Sequence, residues 1–112
     1  MDTYYNPEDL AKFSPAGVGS VKPELFEKFM GWYGDVFKDG ALSEREKDLI
    51  AFAVASALQC PYCIDAYTNA SLEHGADEEQ LTEALHVAAA IRGGAALAHG
   101  VQMRNVIDNA DF

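Results

Sequence analysis

The sequence is poor in the features that mark membrane, secreted or nucleic-acid-binding proteins. It has only two cysteines in 112 residues, and 8 basic against 18 acidic side chains give a formal charge of −10. An acidic chain repels nucleic acid and anionic membranes, which argues against both as partners. The longest apolar run, about ten residues, is too short to span a bilayer. The first residues lack the basic and apolar regions of a signal peptide. We therefore expect a soluble, cytoplasmic protein.

The sequence also lacks the strict apolar–polar alternation of half-buried strands. Apolar residues recur at helical spacing instead, in the ranges 25–37, 49–58 and 81–91. The length is that of one domain. These patterns predict an all-α fold, a compact bundle of five to six helices in a single helical domain over residues 1–112. Residues 1–20, which contain two of the four prolines, are expected to form an irregular arm.

Local signals predict where the first two helices begin. Pro23 suits the first turn of one helix. Ser43 and Glu46 match a capping box, which predicts a second helix from about Glu44. The later part of that helix, 49–58, is apolar on nearly every side and must be buried all round. Because a monomer this small offers little interior, we predict a homo-oligomer.

The second half of the chain carries similar signals. Pro61 predicts the start of a third helix, and Gly75 its end. Asp77 and Gln80 match a second capping box, which predicts a fourth helix. We expect the glycine pair at 93–94 to interrupt it, with a fifth helical segment at about 95–106.

The two cysteines form a Cys60-Pro61-Tyr62-Cys63 motif at the predicted start of the third helix. Backbone N–H groups and the helix dipole there favour a thiolate, and the i, i+3 spacing lets the two sulfurs meet. In a reducing cytosol such a pair favours redox or exchange chemistry over a static cross-link. A zinc site needs four ligands, which this motif does not supply, so we expect no metal and no cofactor. Two buried thiols without a role remain the alternative.

A longer pattern of spaced residues surrounds this motif. The frame is Leu42-Ser43-x-Arg45-Glu46-x-x-Leu49-Ile50, then Cys60-x-x-Cys63, then Leu72-x-x-Gly75-Ala76-x-x-Glu79-x-Leu81-x-Glu83-Ala84. It resembles the AhpD-like or carboxymuconolactone decarboxylase family over roughly residues 20–105. The resemblance implies an all-helical subunit that assembles into trimers or hexamers. It also implies alkylhydroperoxidase or disulfide-reductant activity, and the Cys60–Tyr67 string is similar to a peroxidase-like branch associated with arsenosugar biosynthesis.

The resemblance also implies a proton relay, in which a glutamate and a histidine serve the thiols. Here Asp48 stands at the glutamate position and Tyr67 at the histidine position. A phenol, with an ordinary pKa near 10, donates a hydrogen bond to a thiolate but is a poor base at neutral pH. We predict that Asp48 and Tyr67 tune Cys60 and Cys63. His99, in the last helical segment, is a candidate replacement for the imidazole, from the same or a neighbouring subunit.

The predicted function is that of a thiol-dependent peroxidase or disulfide reductase. Its oxidant would be a hydroperoxide or a partner protein's disulfide, and its external reductant is not apparent from the sequence. One alternative is a decarboxylase-like enzyme that acts on a small organic acid without using the cysteines. Another is a non-catalytic oligomeric binding protein.

Among the other residues, Trp32 is expected in the core, Asp65 to pair with Arg92, and His74 to stabilise a helix C-terminus.

Overall fold

The computed structural model describes residues 5–110, and the regular secondary structure within that range is entirely helical. The α-helices are α1 (Pro23–Val36), α2 (Glu44–Leu58), α3 (Pro61–Glu73), α4 (Glu78–Ala98) and α5 (Gly100–Asp108). Two short 3-10 helices, Pro7–Lys12 and Val18–Ser20, precede them. No strand occurs among the described residues, and the all-α class is confirmed. No helix in the described part is long and apolar enough to cross a membrane.

Both predicted capping boxes are present. Ser43 Oγ accepts from the Glu46 N–H at 3.1 Å, and Glu46 Oε1 accepts from the Ser43 N–H at 2.9 Å. Asp77 and Gln80 make the same reciprocal pair at the start of α4, at 2.8 and 3.1 Å. Each box satisfies backbone N–H groups that a helix start leaves unpaired. The predicted starts of α2 and α4 are therefore confirmed.

The predicted interruption at the glycine pair 93–94 is wrong, because α4 continues to Ala98. Glycine costs about 1 kcal/mol relative to alanine in a helix but keeps its backbone donor and acceptor. Gly93 and Gly94 have alanines and Arg92 close by in sequence, which favour helix. The break comes later, at His99, where α5 begins with Gly100.

The core of the subunit lies where α2 packs against α3 and α4. Its buried apolar members are Phe52, Ala55, Ala76, Leu81 and Ala88. The radius of gyration is 19.0 Å, against about 13 Å for a compact chain of this size. The subunit is thus more extended than the sequence led us to expect.

The extended shape leaves much apolar surface uncovered. Trp32 on α1 is 64% exposed, so its expected place in the core is wrong. The cause is tertiary: α1 packs mainly on the Val18–Ser20 helix, and its aromatic side chains stack largely on one another. Exposed large apolar side chains also follow α4 and α5, and they include Leu85, Val87, Ile91, Leu97, Val101, Met103, Val106 and Ile107.

Candidate thiol site

The two cysteines lie at a tight corner between α2 and α3. Gln59 takes a left-handed conformation, φ 59° and ψ 45°, directly after the last residue of α2. The N–H of Cys60 donates to the Ala55 carbonyl at 3.0 Å, which closes the end of α2. A single left-handed residue therefore reverses the chain and places Cys60 at the N-cap of α3.

Cys60 and Cys63 form a disulfide, with their Cα atoms 5.3 Å apart, within the usual range. The Cys63 N–H also donates to Cys60 Sγ at 3.3 Å. In the reduced protein, the same N–H and the positive end of the helix dipole would favour a Cys60 thiolate. The predicted position of Cys60 at the helix N-cap is confirmed.

The pair opens into a groove of about 530 Å³ formed by α1, α2 and α3. Apart from the two cysteines, its polar lining consists of Tyr33, Tyr67 and Lys47, and the Lys47 ammonium donates to the Lys38 carbonyl at 2.5 Å. The remaining lining is apolar: Val36, Phe37, Leu42, Ile50, Ala51, Val54, Ala55 and Leu58. An apolar cleft with a few polar groups beside a cysteine pair has the kind of lining that small-molecule sites have.

Tyr67 lies in this groove together with both cysteines. Its ring stacks on Phe37, with centroids 5.1 Å apart and an angle of 14° between the planes. Its hydroxyl hydrogen-bonds to the hydroxyl of Tyr33, which comes from α1. The structure thus brings together three of the residues that the sequence singled out, and it adds Tyr33, which the sequence did not.

Asp48 lies elsewhere in the α2–α3 hairpin. It is only 3% exposed, and its Oδ2 accepts from His74 Nδ1 at 2.5 Å. The hydrogen bond to Asp48 raises the pKa of His74; desolvation opposes the rise, and the charges of Glu44, Asp48 and Glu73 add to it. Asp48 is not one of the described residues that line the groove. In this subunit it therefore links the start of α2 to the end of α3.

Sequence reasoning gave His74 only a role at a helix terminus and missed its partner. The Asp48–His74 contact follows from the antiparallel packing of α2 and α3, two helices joined by a short corner. That packing sets the first turns of α2 against the last turn of α3. Because the corner depends on a left-handed glutamine, which is an unusual residue for that conformation, the register was not apparent beforehand.

Two further predictions concern α4. His99 lies at the α4–α5 junction, exposed and outside the described groove lining, so its approach from a neighbouring subunit stays a prediction. The predicted Asp65–Arg92 ion pair is wrong. Arg92 donates to the Ala57 carbonyl in the last turn of α2, where a cation is favourable. Asp65 accepts from Asn69 at 3.1 Å.

Metal-ligating side chains do not gather in the part of the chain that the structure describes. No group of three or more His, Cys, Asp or Glu residues is placed there to hold a metal ion. The chemistry that this arrangement offers is that of two thiols, a phenol pair and an apolar groove.

Solved structures share this arrangement of helices, and a curated relative matches part of the sequence. A Paracoccus denitrificans protein, named uncharacterized protein 4 in the cox locus, is 49% identical over 76 residues, 68% of each chain. A solved structure from Methanobacterium thermoautotrophicum is 38% identical, with a TM-score of 0.70, over 73% of this chain and 92% of that one. A carboxymuconolactone decarboxylase family protein from Legionella pneumophila, solved in its apo form, is 36% identical, with a TM-score of 0.65, over 84% and 80%.

The match extends to the family as a whole. The model of the carboxymuconolactone decarboxylase family matches residues 23–103, from the start of α1 into α5. This range contains the cysteine pair, the groove and both capping boxes. The chain belongs to the carboxymuconolactone decarboxylase family.

Proposed function

We propose that this protein is a thiol peroxidase that reduces small apolar hydroperoxides with Cys60 and Cys63. One observation carries the proposal: the disulfide at the N-terminus of α3 opens directly into an apolar groove. A disulfide at a helix N-terminus has one sulfur placed for ionisation when it is reduced. The groove supplies apolar surface for the organic part of a hydroperoxide.

The reaction begins when a thiolate of the pair attacks one oxygen of R–O–O–H. A sulfur–oxygen bond forms, the O–O bond breaks, and the alkoxide leaves and takes a proton to give R–OH. The second thiol then attacks the sulfenic sulfur. The sulfur–sulfur bond forms as hydroxide leaves and, with the proton of that thiol, becomes water. The two electrons come from the two thiols, and an external dithiol restores them by exchange while it is itself oxidised to a disulfide.

The other predicted site residues take different parts in this proposal. Tyr67 lies in the groove and supplies a phenol proton for a thiolate or a departing alkoxide. Asp48 acts on the two cysteines indirectly. Its hydrogen bond to His74 holds α2 against α3, the two helices whose corner carries the cysteines. His99 takes part only if a neighbouring subunit brings it to the groove. Reduction of a partner's disulfide would use the same two thiols, with a disulfide sulfur in place of the peroxide oxygen.

The rival function is decarboxylation of a small organic acid, in which the cysteines are bystanders. An anionic substrate in an apolar groove needs a cationic partner. Lys47 is the cation that lines the groove, and its ammonium donates to the Lys38 carbonyl. A carboxylate in the groove would therefore depend on the remaining donors of Lys47, whereas a hydroperoxide needs no cationic partner.

The test uses protein reduced with dithiothreitol, freed of excess reductant and mixed with cumene hydroperoxide. We expect one hydroperoxide consumed per protein chain, a mass loss of two hydrogens and no cross-link between chains. Cys60→Ser and Cys63→Ser should each prevent closure of the intramolecular disulfide, so neither variant should show the mass loss of two hydrogens. Ser56→Ala, which removes a hydroxyl bonded to the Phe52 carbonyl, is the control and should react normally. Hydroperoxide consumption that persists in the double Cys→Ser variant would contradict the proposal.

A further inference from the structure

We propose that Tyr33 is a positioning residue of the thiol site, which fixes the direction in which the Tyr67 hydroxyl donates its proton. This inference rests on the proposed use of the groove for thiol chemistry. Tyr33 lies on α1, outside the α2–α3 hairpin that carries the cysteines. It therefore joins an otherwise separate helix to the reactive corner.

The contacts of Tyr67 converge from one side of α1. Tyr33 and Phe37 stand one helical turn apart, with ring centroids separated by 5.2 Å. Tyr33 reaches Tyr67 through its hydroxyl, and Phe37 stacks on the ring of Tyr67. The stack holds the plane of the Tyr67 ring, while the hydroxyl contact restricts the rotation of its O–H bond. The ring plane and the O–H direction of Tyr67 are thus both set by residues at the C-terminal end of α1.

The hydroxyl pair is directional, and either hydroxyl can be its donor. Each phenol carries one proton, so one hydroxyl of the pair donates and the other accepts. Burial raises the pKa of Tyr33, which keeps it protonated and able to donate. When Tyr33 donates to the Tyr67 oxygen, the Tyr67 proton is left for another acceptor.

The acceptors for that proton are few. Among the described groove residues, Lys47 is a donor only, and the remaining polar atoms of the lining side chains are the sulfurs of Cys60 and Cys63. In this proposal the hydroxyl of Tyr67 donates to a thiolate of the pair, or to the alkoxide that leaves beside it. A hydrogen bond to the thiolate stabilises the ionised form and lowers the thiol pKa.

The experiment is a double-mutant cycle read by alkylation of the reduced protein with iodoacetamide across pH. Tyr33→Phe removes one oxygen and keeps the ring that contacts Phe37. We expect its alkylation at pH 7 to slow about three- to tenfold, the effect of losing one ordinary hydrogen bond, with the pH midpoint moved upward. Tyr67→Phe should do at least as much. In the Tyr67→Phe background, Tyr33→Phe should add nothing, because Tyr33 acts only through Tyr67.

The matched control is Tyr62→Phe, the same chemical change between the two cysteines. Tyr62 packs edge-on against Tyr5, with centroids 5.2 Å apart, and is not among the groove-lining residues described. Its alkylation profile should match that of the wild type. A Tyr33→Phe profile identical to the wild type, or effects of Tyr33→Phe and Tyr67→Phe that simply add, would overturn the positioning role. Loss of thermal stability in Tyr33→Phe without a change in the profile would overturn it too.

The readout separates this inference from the proposed function, since alkylation requires no peroxide. If the wild type consumes cumene hydroperoxide but Tyr33→Phe alkylates like the wild type, only the positioning role is wrong. If the cycle is non-additive as expected but no hydroperoxide is consumed, the peroxidase proposal falls, and the phenol pair still tunes the thiols.

Discussion

The α2–α3 hairpin and the α4–α5 end of the molecule differ in how their apolar side chains are covered. In the hairpin, Phe52 is 8% exposed, the corner is closed by backbone hydrogen bonds, and α4 packs on one side. The apolar side chains that line its groove stay exposed in the single subunit: Ile50 (49%), Val54 (50%) and Leu58 (73%). Leu97, near the end of α4, is 82% exposed, and α5 presents further bare apolar side chains. The thiol corner is thus determined by contacts within one chain, whereas the α4–α5 end needs a surface from elsewhere. We propose that a second copy of this chain supplies it.

The largest effect should come from breaking that assembly. Light scattering at low micromolar concentration should give a trimer or hexamer rather than the 12.1 kDa of one chain. Each Å² of apolar surface covered between subunits is worth about 25 cal/mol. Introducing charge with Leu97→Asp and Val101→Asp should therefore dissociate the oligomer. Gln102→Glu, an exposed change of charge in α5 next to Val101, is the control and should leave the mass unchanged. A wild type that scatters as a monomer would contradict the proposal.

The next effect compares the hairpin with α1, a further region with exposed apolar side chains, by the same substitution. Phe52→Ala, in the core of the hairpin, should cost about 3–5 kcal/mol of unfolding free energy. Phe29→Ala, on α1 where the ring is 46% exposed, should cost less than about 1 kcal/mol. Urea unfolding at one fixed protein concentration measures both, because association couples to stability. Equal losses would mean that α1 is covered as well as the hairpin, and they would contradict the exposure of Phe29.

The parts of the fold that the sequence predicted correctly depend on local chemistry. A serine followed by a glutamate three residues later, at Ser43, and a proline after a cysteine, at Pro61, act within one helical turn. The position of Cys60 at the N-cap is likewise determined by its sequence neighbour, Pro61. These signals need no knowledge of what the helix packs against.

The failures share a dependence on distant contacts. The partner of Asp48 depends on the register of the hairpin, and the partner of Arg92 depends on where α4 crosses the end of α2. The exposure of Trp32 depends on α1 not packing into the core. Tyr33 was one aromatic residue among several on its helix until the structure placed its hydroxyl against Tyr67. Patterns along the chain carry no information about such crossings.

A smaller effect should depend on pH, at the Asp48–His74 pair. The pKa of His74 is raised in the folded protein, chiefly by the hydrogen bond to Asp48. Its contribution to stability is therefore complete below the unfolded pKa of about 6.5, and it is lost as pH rises through the higher folded pKa. His74→Asn keeps a neutral donor but removes the charge. We expect it to lower the melting temperature at pH 6 and to have little effect at pH 9.

The control for this pair is His86→Asn, since His86 Nδ1 donates to the Thr82 carbonyl within its own helix. Its effect on the melting temperature should not vary with pH in the same way. A loss of stability in His74→Asn that is equal at pH 6 and pH 9 would show that the pair acts by packing and neutral hydrogen bonding alone.

The smallest effect, a gain, should come from the corner that sets the thiols. Gln59 is the one non-glycine residue with positive φ among the residues described, and a side chain there costs about 1–2 kcal/mol. Gln59→Gly removes that cost but gives the unfolded chain more freedom, so the net gain should be about 0.5–1 kcal/mol. Glu83→Gly, at an exposed helical position in α4, is the matched control and should lose about 1 kcal/mol. If both substitutions destabilise alike in urea unfolding, the corner does not hold a left-handed residue in solution. The N-cap position of Cys60, on which the thiol chemistry depends, would then need another explanation.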